Sequence, residues 1–201
     1  NKLGSKVSFI PNAIDINSLP SGVDTRYEKQ IIFAGRLSKE KGILTILETA
    51  KNLPNDIHLF IVGIGPEEKE VINSMKNNEN IHYLGYQPKE KTIPLIRGSK
   101  LLLQPSLAEG ISATLLEAMA CKTPVIVTNV GGNIELFENN KTGILIEPEN
   151  SEELLKEIIS LLNDKTKLSK LSKAAFEKVQ EYDWSNIGKK YLDLYKKILE
   201  S

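Results

Sequence analysis

The apolar positions of this chain fall into short, nearly continuous runs over its first three-quarters and into a helical period over the rest. Runs rich in β-branched or aromatic residues stand at 7–10, 31–34, 57–62, 81–84, 101–104, 125–128 and 144–146. Several are apolar without alternation, as strands covered on both faces must be. Between them, Ile43, Ile46, Leu47 and Ala50 form one stripe at i, i+3/i+4 spacing. Ile93, Leu95 and Ile96 belong to a second, and Leu115, Leu116 and Met119 to a third. Strand and helix patterns alternating in this way predict βαβ units with right-handed crossovers. The expected fold is therefore α/β: a Rossmann-like, doubly wound parallel sheet of about six strands with helices on both faces. The units are too unequal for a solenoid.

All nine Pro and twelve of the thirteen Gly precede residue 151, which leaves the tail with Gly188 alone. The tail is accordingly helical. Helices are predicted over 152–162, entered from a Ser151 N-cap without a full capping box, over 167–182, and over 185–199. Ile187, Tyr191, Leu194, Tyr195 and Ile198 line one stripe of the last helix, and that stripe needs a partner surface.

Composition narrows the function. Lys plus Arg number 26 and Asp plus Glu 26, a formal balance that argues against a nucleic-acid footprint, an acidic tail or a polybasic membrane anchor. The one cysteine, Cys121, closes an apolar helix as a buried small hydrophobe and leaves no sign of an oxidising compartment. No apolar run approaches a membrane span and no signal peptide opens the chain. A chain of 201 residues makes one large domain or two small ones. It begins with Asn1, in mid-pattern just before a strand-like run, as a fragment would.

In an open parallel sheet, ligands bind beyond the carboxyl ends of the strands. Four such ends carry unusual residues: GRLSKEKG at 35–42, GIGP at 63–66, PSLAEGISATLLEA at 105–118 and NVGGNIE at 129–135. The first loop feeds a helix N-terminus, whose free N–H groups and dipole favour an anion. Arg36 adds a planar fork for phosphate oxygens and Lys41 a mobile charge. Only Arg26, Arg36 and Arg97 are arginine among 26 basic residues, so an Arg at a strand end stands out for its geometry. A solvated charged loop explains SKEK equally well, and both readings stay open on the loop alone. No P-loop spacing occurs, and Gly63 and Gly65 alone make only a tight turn.

The third loop carries more. Gly110 permits close backbone approach, the amides of Ile111, Ser112, Ala113 and Thr114 are orphan donors of the helix that follows, and Glu117 lies one turn inside it. A carboxylate beside a phosphate site should face hydroxyls, as in dinucleotide folds. Taken singly, Glu109 or Glu117 is better explained as a glutamate that favours the helix dipole.

Taken together, SFIPNAID (8–15), FAGRLSKEKGI (33–43), LFIVGIGP (59–66), LGYQP (84–88), QPSLAEGISATLLEAMACKTPVIVTNVGGNIELF (104–137) and KTGILIEPEN (141–150) resemble the C-terminal domain of a retaining glycosyltransferase of family 4, the glycosyl transferases group 1 type with the GT-B fold. The resemblance spans essentially the whole chain, and the paired glutamates followed by AMA-x-x-TPV and VGG are its most specific part. It implies that Arg36 and Lys41 hold a donor diphosphate beside Gly35, that Glu109 contacts the transferred sugar, and that Glu117 bonds the ribose. Backbone at Gly110, Ile111, Ser112, Ala113 and Thr114 would meet sugar and phosphate, while Gly63, Gly65, Gly85 and Tyr86 would line the nucleobase pocket. Arg36, Lys41 and Glu109 are the catalytic candidates; no metal and no cofactor beyond the nucleotide-sugar donor is expected.

The implied reaction transfers a hexosyl group to an acceptor glycan, lipid or small molecule held by an N-terminal domain outside this chain, with little turnover by this half alone. The alternatives are a non-catalytic nucleotide-sugar sensor and a nucleotide-sugar epimerase of related architecture. Residues 1–182 would form the donor domain and 183–201 a helix crossing to the other domain. The expected location is cytoplasmic, with the inner membrane face open to the full-length protein. Relatives commonly read E-G-F-G where this chain has Glu109-Gly110-Ile111-Ser112, so Ser112 either tightens the loop or caps the helix. They also carry Gly where Lys122 stands, so Lys122 is either left-handed or the helix ends differently. His58 and His82 are expected at a core edge or on the surface, and Trp184 as a packing anchor.

Overall fold

A computed structural model describes residues 8–200. Six strands, β1 (Lys29–Ala34), β2 (Ile57–Val62), β3 (Ile81–Tyr83), β4 (Leu101–Gln104), β5 (Val125–Thr128) and β6 (Ile144–Ile146), form one sheet in the order β3-β2-β1-β4-β5-β6. All five pairings are parallel. This is the predicted doubly wound sheet, and the apolar runs coincide with its strands. The run at 7–10 begins outside the described residues, and from Ser8 to Ile10 there is no strand. Instead Ile14 bridges to Asp183, so the start of the described chain is tied to the tail.

Continuous apolar strands make two cores, because successive side chains point to opposite faces. Ile31, Phe33, Leu59, Ile61, Leu101 and Leu103 face α1 (Ile43–Ala50) and α6 (Ser151–Asn163). Ile32, Ala34, Phe60, Val62, Leu102 and Val127 face α3 (Lys89–Gly98), α4 (Ala113–Ala120) and α7 (Lys165–Val179). Each fully buried Ile or Leu contributes about 1.5–3 kcal/mol of transfer free energy. Two helices escaped the sequence pattern. α2 (Glu68–Asn77) buries only Val71, and α5 (Asn133–Leu136) is a single turn.

Helix ends differ by a residue or two from the expected ones. The cap of α6 is Asn150, not Ser151: its side chain accepts from Glu153 N at 3.0 Å and donates to Glu153 Oε2 at 3.1 Å. Glu153 Oε2 also accepts from Glu147 N at 3.0 Å, so the N-cap side chain and the incoming chain are held together without a capping box in the strict sense. α7 closes in a 3-10 turn over Gln180–Tyr182. α4 is followed by Lys122 in the left-handed region at φ 59°. Such a conformation costs a non-glycine residue about 1–2 kcal/mol. Ser172 Oγ donating to Lys122 O at 2.7 Å, and the Lys122 ammonium 4.6 Å from the Phe176 ring centre, offset part of it. Cys121 is buried, as expected, and burial raises its thiol pKa.

The last helix, α8 (Trp184–Leu199), is capped by the Asp183 side chain and buries only Ile187. Of the predicted stripe, Ile187 is buried, Tyr191 and Leu194 are half-buried, and Tyr195 and Ile198 are exposed, so this domain covers its first part and leaves its end open. Trp184 is 53% exposed, which corrects its reading as a packing anchor. It opens α8 and shares a shallow surface groove with Gly188, Tyr191, Leu192 and Tyr195 of the same helix.

At the β3 edge, His58 Nδ1 and His82 Nε2 lie 3.1 Å apart, with Tyr27 stacked on His58 at 3.6 Å and Phe60 on His82 at 4.6 Å. These are the expected core-edge positions. Burial, then the charges of His58 and Arg26, hold the His82 pKa below its ordinary 6.5. The unfolded chain therefore takes up this proton at a higher pH than the folded one, and stability declines as pH falls through and below about 6.5. Urea midpoints measured from pH 7.5 to 5 should drop, and His82→Gln should flatten that drop. An unchanged slope would remove His82 from the account.

Candidate functional site

The order of the sheet reverses between β1 and β4, and doubly wound sheets bind ligands at such a switch point. The loops after these two strands carry Gly35, Arg36 and Lys41 on one side and Glu109, Gly110 and the start of α4 on the other. They meet in an ion pair: Lys41 Nζ lies 2.7 Å from Glu109 Oε2, across 68 residues of sequence. Gln104 Nε2 donates to the same oxygen at 2.6 Å and Ser106 Oγ at 3.1 Å. The Glu109 side chain is only 8% exposed, so these three donors supply what burial removes from the carboxylate. All three converge on Oε2, and Oε1 has no partner among the described residues.

The remaining backbone of this corner is fixed from outside. Gly132 N donates to Glu109 O at 2.9 Å, which gives the NVGG turn its place in the site. Asn12 Nδ2 donates to Ile111 O at 2.7 Å. Ile111 is buried, while Ser112 occupies the N-cap position of α4 without capping it. The Ser112 hydroxyl instead donates to Gln104 Oε1 at 3.3 Å, which makes a chain Ser112–Gln104–Glu109. So Ser112 tightens the loop. The N–H groups of Ile111, Ser112, Ala113 and Thr114 find no acceptor among the described residues. They form the positive end of the α4 dipole.

Between β1, β2 and α4 lies an open cleft of about 700 Å³, lined by Gly35, Arg36, Gly63, Gly65, Tyr86 and Thr114, together with Glu68, Gln87 and Thr92. Tyr86 and Ile64 are exposed at its rim. Gly85 is not in the lining; its carbonyl accepts from Gly63 N at 2.8 Å and so supports the wall. Tyr83 hydroxyl bonds to Glu68 at 2.6 Å and to Gly63 O at 3.2 Å, and burial with the Glu68 contact pushes its pKa up to about 12. The Arg36 guanidinium is exposed and makes no hydrogen bond or ion pair among the described residues. Arg26, by contrast, is spent on Asp24 through three short contacts.

Glu117 stands apart from the Lys41–Glu109 pair. Its Oε1 lies 3.0 Å from Lys89 Nζ, and its side chain is 16% exposed. Sequence reading missed Lys89, Gln104, Ser106 and Asn12. Gln104 carried a signal, as the single polar residue ending an apolar strand. Lys89, at the first residue of α3, carried none.

The model of the family described as glycosyl transferases group 1 matches residues 23–178. A phosphatidyl-myo-inositol mannosyltransferase of Mycobacterium leprae is 26% identical over 208 aligned residues, which cover 99% of this chain and 56% of that protein. An N,N'-diacetylbacillosaminyl-diphospho-undecaprenol alpha-1,3-N-acetylgalactosaminyltransferase of Campylobacter jejuni is 27% identical over 85% of this chain and 45% of its own. Among solved structures, Anabaena HepE in complex with UDP-glucose has a TM-score of 0.84 at 22% identity, over 94% of this chain and 57% of that one. The chain thus spans about half the length of the curated relatives it matches. No helix among the described residues is long and apolar enough to cross a membrane.

Proposed function

This chain belongs to the glycosyl transferases group 1 family, and from that premise we propose that it is the donor-binding half of a retaining, nucleotide-sugar-dependent hexosyltransferase. The observation that carries the reading is the convergence at the switch point of a free Arg36, the unpaired α4 amides and the Lys41–Glu109 pair. Two kinds of recognition sit side by side there, cationic groups for a diphosphate and carboxylates for hydroxyls.

In this reading the diphosphate lies between Arg36 and the amides of Gly110, Ile111, Ser112, Ala113 and Thr114. The sugar's hydroxyls face Glu109 Oε1, and the ribose faces Glu117, which Lys89 orients. Gly63, Gly65 and Tyr86 belong to the base pocket, and Gly85 supports its wall from behind. The bond from the anomeric carbon to the phosphate oxygen breaks, and its electron pair leaves with the nucleoside diphosphate. Arg36, Lys41 and the α4 dipole stabilise that charge, with no metal or further cofactor assigned. The acceptor's hydroxyl oxygen closes the new bond to the anomeric carbon, and its proton passes to the departing diphosphate. Acceptor and second domain lie outside this chain, and α8 is the element assigned to meet that domain. The lone, buried Cys121 fits a reducing compartment such as the cytoplasm.

Calorimetry of residues 1–201 with UDP, GDP and ADP sugars tests the reading. At least one should bind saturably, and Arg36→Ala should weaken it by about 1.5–3 kcal/mol, the range for a hydrogen bond to a charged group. Arg26→Ala is the control, since its charge is already neutralised by Asp24. Equal losses in the two variants would remove loop 35–42 from the phosphate site.

A further inference from the structure

The opposite end of the strands carries a second concave site that the donor reading does not use. A cleft of about 440 Å³ opens at the amino ends of β1, β4 and β5, between those strands and the α6–α7 corner. Lys29, Lys100, Lys122 and Lys165 line it against a single Glu28, in a chain whose charges balance overall. Of these four, Lys29 alone is engaged in an ion pair among the described residues, with Asp56 at 2.6 Å. Lys100 and Lys165 are exposed and make no ion pair among the described residues. The floor is apolar, formed by Pro124, Leu162 and Leu168.

The backbone adds an independent observation. Lys122 sits at a helix terminus in the left-handed region, where glycine is the favoured residue. A strained conformation kept on a long cationic side chain points to a use for that side chain, because such strain gathers at ligand clamps. The Phe176 ring beneath the Lys122 ammonium and the Ser172 bond to its carbonyl limit its freedom before any ligand arrives. Ser169 adds a hydroxyl without an intramolecular partner among the described residues.

We propose that this cleft binds a phosphate monoester of small-molecule size, its phosphate held by Lys100, Lys122 and Lys165 and its organic body resting on Leu162 and Leu168. The site lies at the opposite end of the strands from loop 35–42, so occupancy there is separable from donor binding. A phosphate monoester presents two negative charges to ammonium groups that have no carboxylate of their own, and the floor accepts a ring or short hydrocarbon.

Phenyl phosphate, which joins a ring to a monoester, is the probe for the 201-residue chain, followed by amide chemical-shift titration in a phosphate-free buffer. Saturable shifts are expected near Lys122 and Ser169. Lys122→Gln combined with Lys165→Gln should weaken binding at least about tenfold, the equivalent of one charge-assisted bond lost. Lys100→Gln alone, at an exposed position, should weaken it about threefold and serves if the double variant does not fold. Arg36→Ala should leave these shifts unchanged, which separates this site from the donor loop. Absence of saturation, unaltered affinity in the lysine variants, or shifts confined to residues 35–42 would overturn the proposal. So would lysine-dependent binding to phosphatidic acid vesicles without saturable phenyl phosphate binding, which would assign the lysines to a lipid surface instead.

Discussion

Replacing Glu109 by alanine should separate binding from turnover. Its Oε2 takes the ammonium of Lys41 at 2.7 Å, together with Gln104 and Ser106. With the carboxylate gone, Lys41 is free to swing to a diphosphate, so affinity for the bare nucleoside diphosphate should hold or rise. The sugar loses the acceptor proposed for its hydroxyls. In a longer protein that carries the proposed acceptor domain, kcat/KM should then fall by about 10²–10³, the usual cost of removing a preorganised polar group from a reacting centre. Stability falls as well. Gln104 and Ser106 are 4% and 0% exposed, and each would be left without this acceptor. At about 1–3 kcal/mol per unsatisfied group, the loss for the two is about 2–6 kcal/mol. Glu109→Gln keeps the shape and an acceptor oxygen, and should recover most of the stability while turnover stays low. Calorimetry with nucleoside diphosphate and with its sugar, run beside steady-state kinetics, reads all three. A variant that loses diphosphate affinity but keeps turnover would place Glu109 outside the sugar's contacts.

That design depends on contacts the sequence could not supply. The strands were legible because residues such as Ile31, Ile32 and Phe33 are each buried on their own face, which leaves no polar interruption to misread. The loops at their carboxyl ends were legible as candidates for the same reason: chemistry in this architecture has one place to be. Pairing was not legible. Lys41 and Glu109 belong to loops joined only by the β1–β4 neighbourhood, and Lys89 reaches Glu117 from the first turn of another helix. Helix α2 was missed because an amphipathic pattern with one buried residue, Val71, is scarcely a pattern. Asn150 and Ser151 are both capping types, so the choice between them rested on where the chain turns rather than on propensity. Trp184 shows the converse. A large aromatic suggests burial, yet Trp184 opens a helix that buries only Ile187.

The largest effect on the fold should come from Gly63→Ala. Gly63 has φ of 132°, a conformation that side chains rarely adopt, and a Cβ there would be driven onto the carbonyl oxygen of Gly35. The two strand-end loops are laced backbone to backbone, with Gly35 N donating to Val62 O at 2.9 Å and Leu37 N to Ile64 O at 3.0 Å. Neither loop can yield without breaking that ladder. Strain and overpacking each cost about 1–3 kcal/mol, so a combined loss of roughly 3–5 kcal/mol is expected. In a chain of this size that lowers Tm by on the order of 10 °C. Arg36 rides on the displaced segment, so diphosphate binding should fall with it. Gly110→Ala is the matched contrast. A Cβ at Gly110 meets nothing within 4 Å and the residue needs no left-handed backbone, so its Tm should stay within about 2 °C of the parent. If the donor lies against this turn, that open space is the ligand's, and the added methyl should weaken sugar-nucleotide binding in a protein that remains fully folded. Loss of binding without loss of stability at Gly110, set against loss of both at Gly63, distinguishes a glycine kept for the ligand from one kept for the fold. Unchanged affinity in Gly110→Ala would move the donor away from the start of α4.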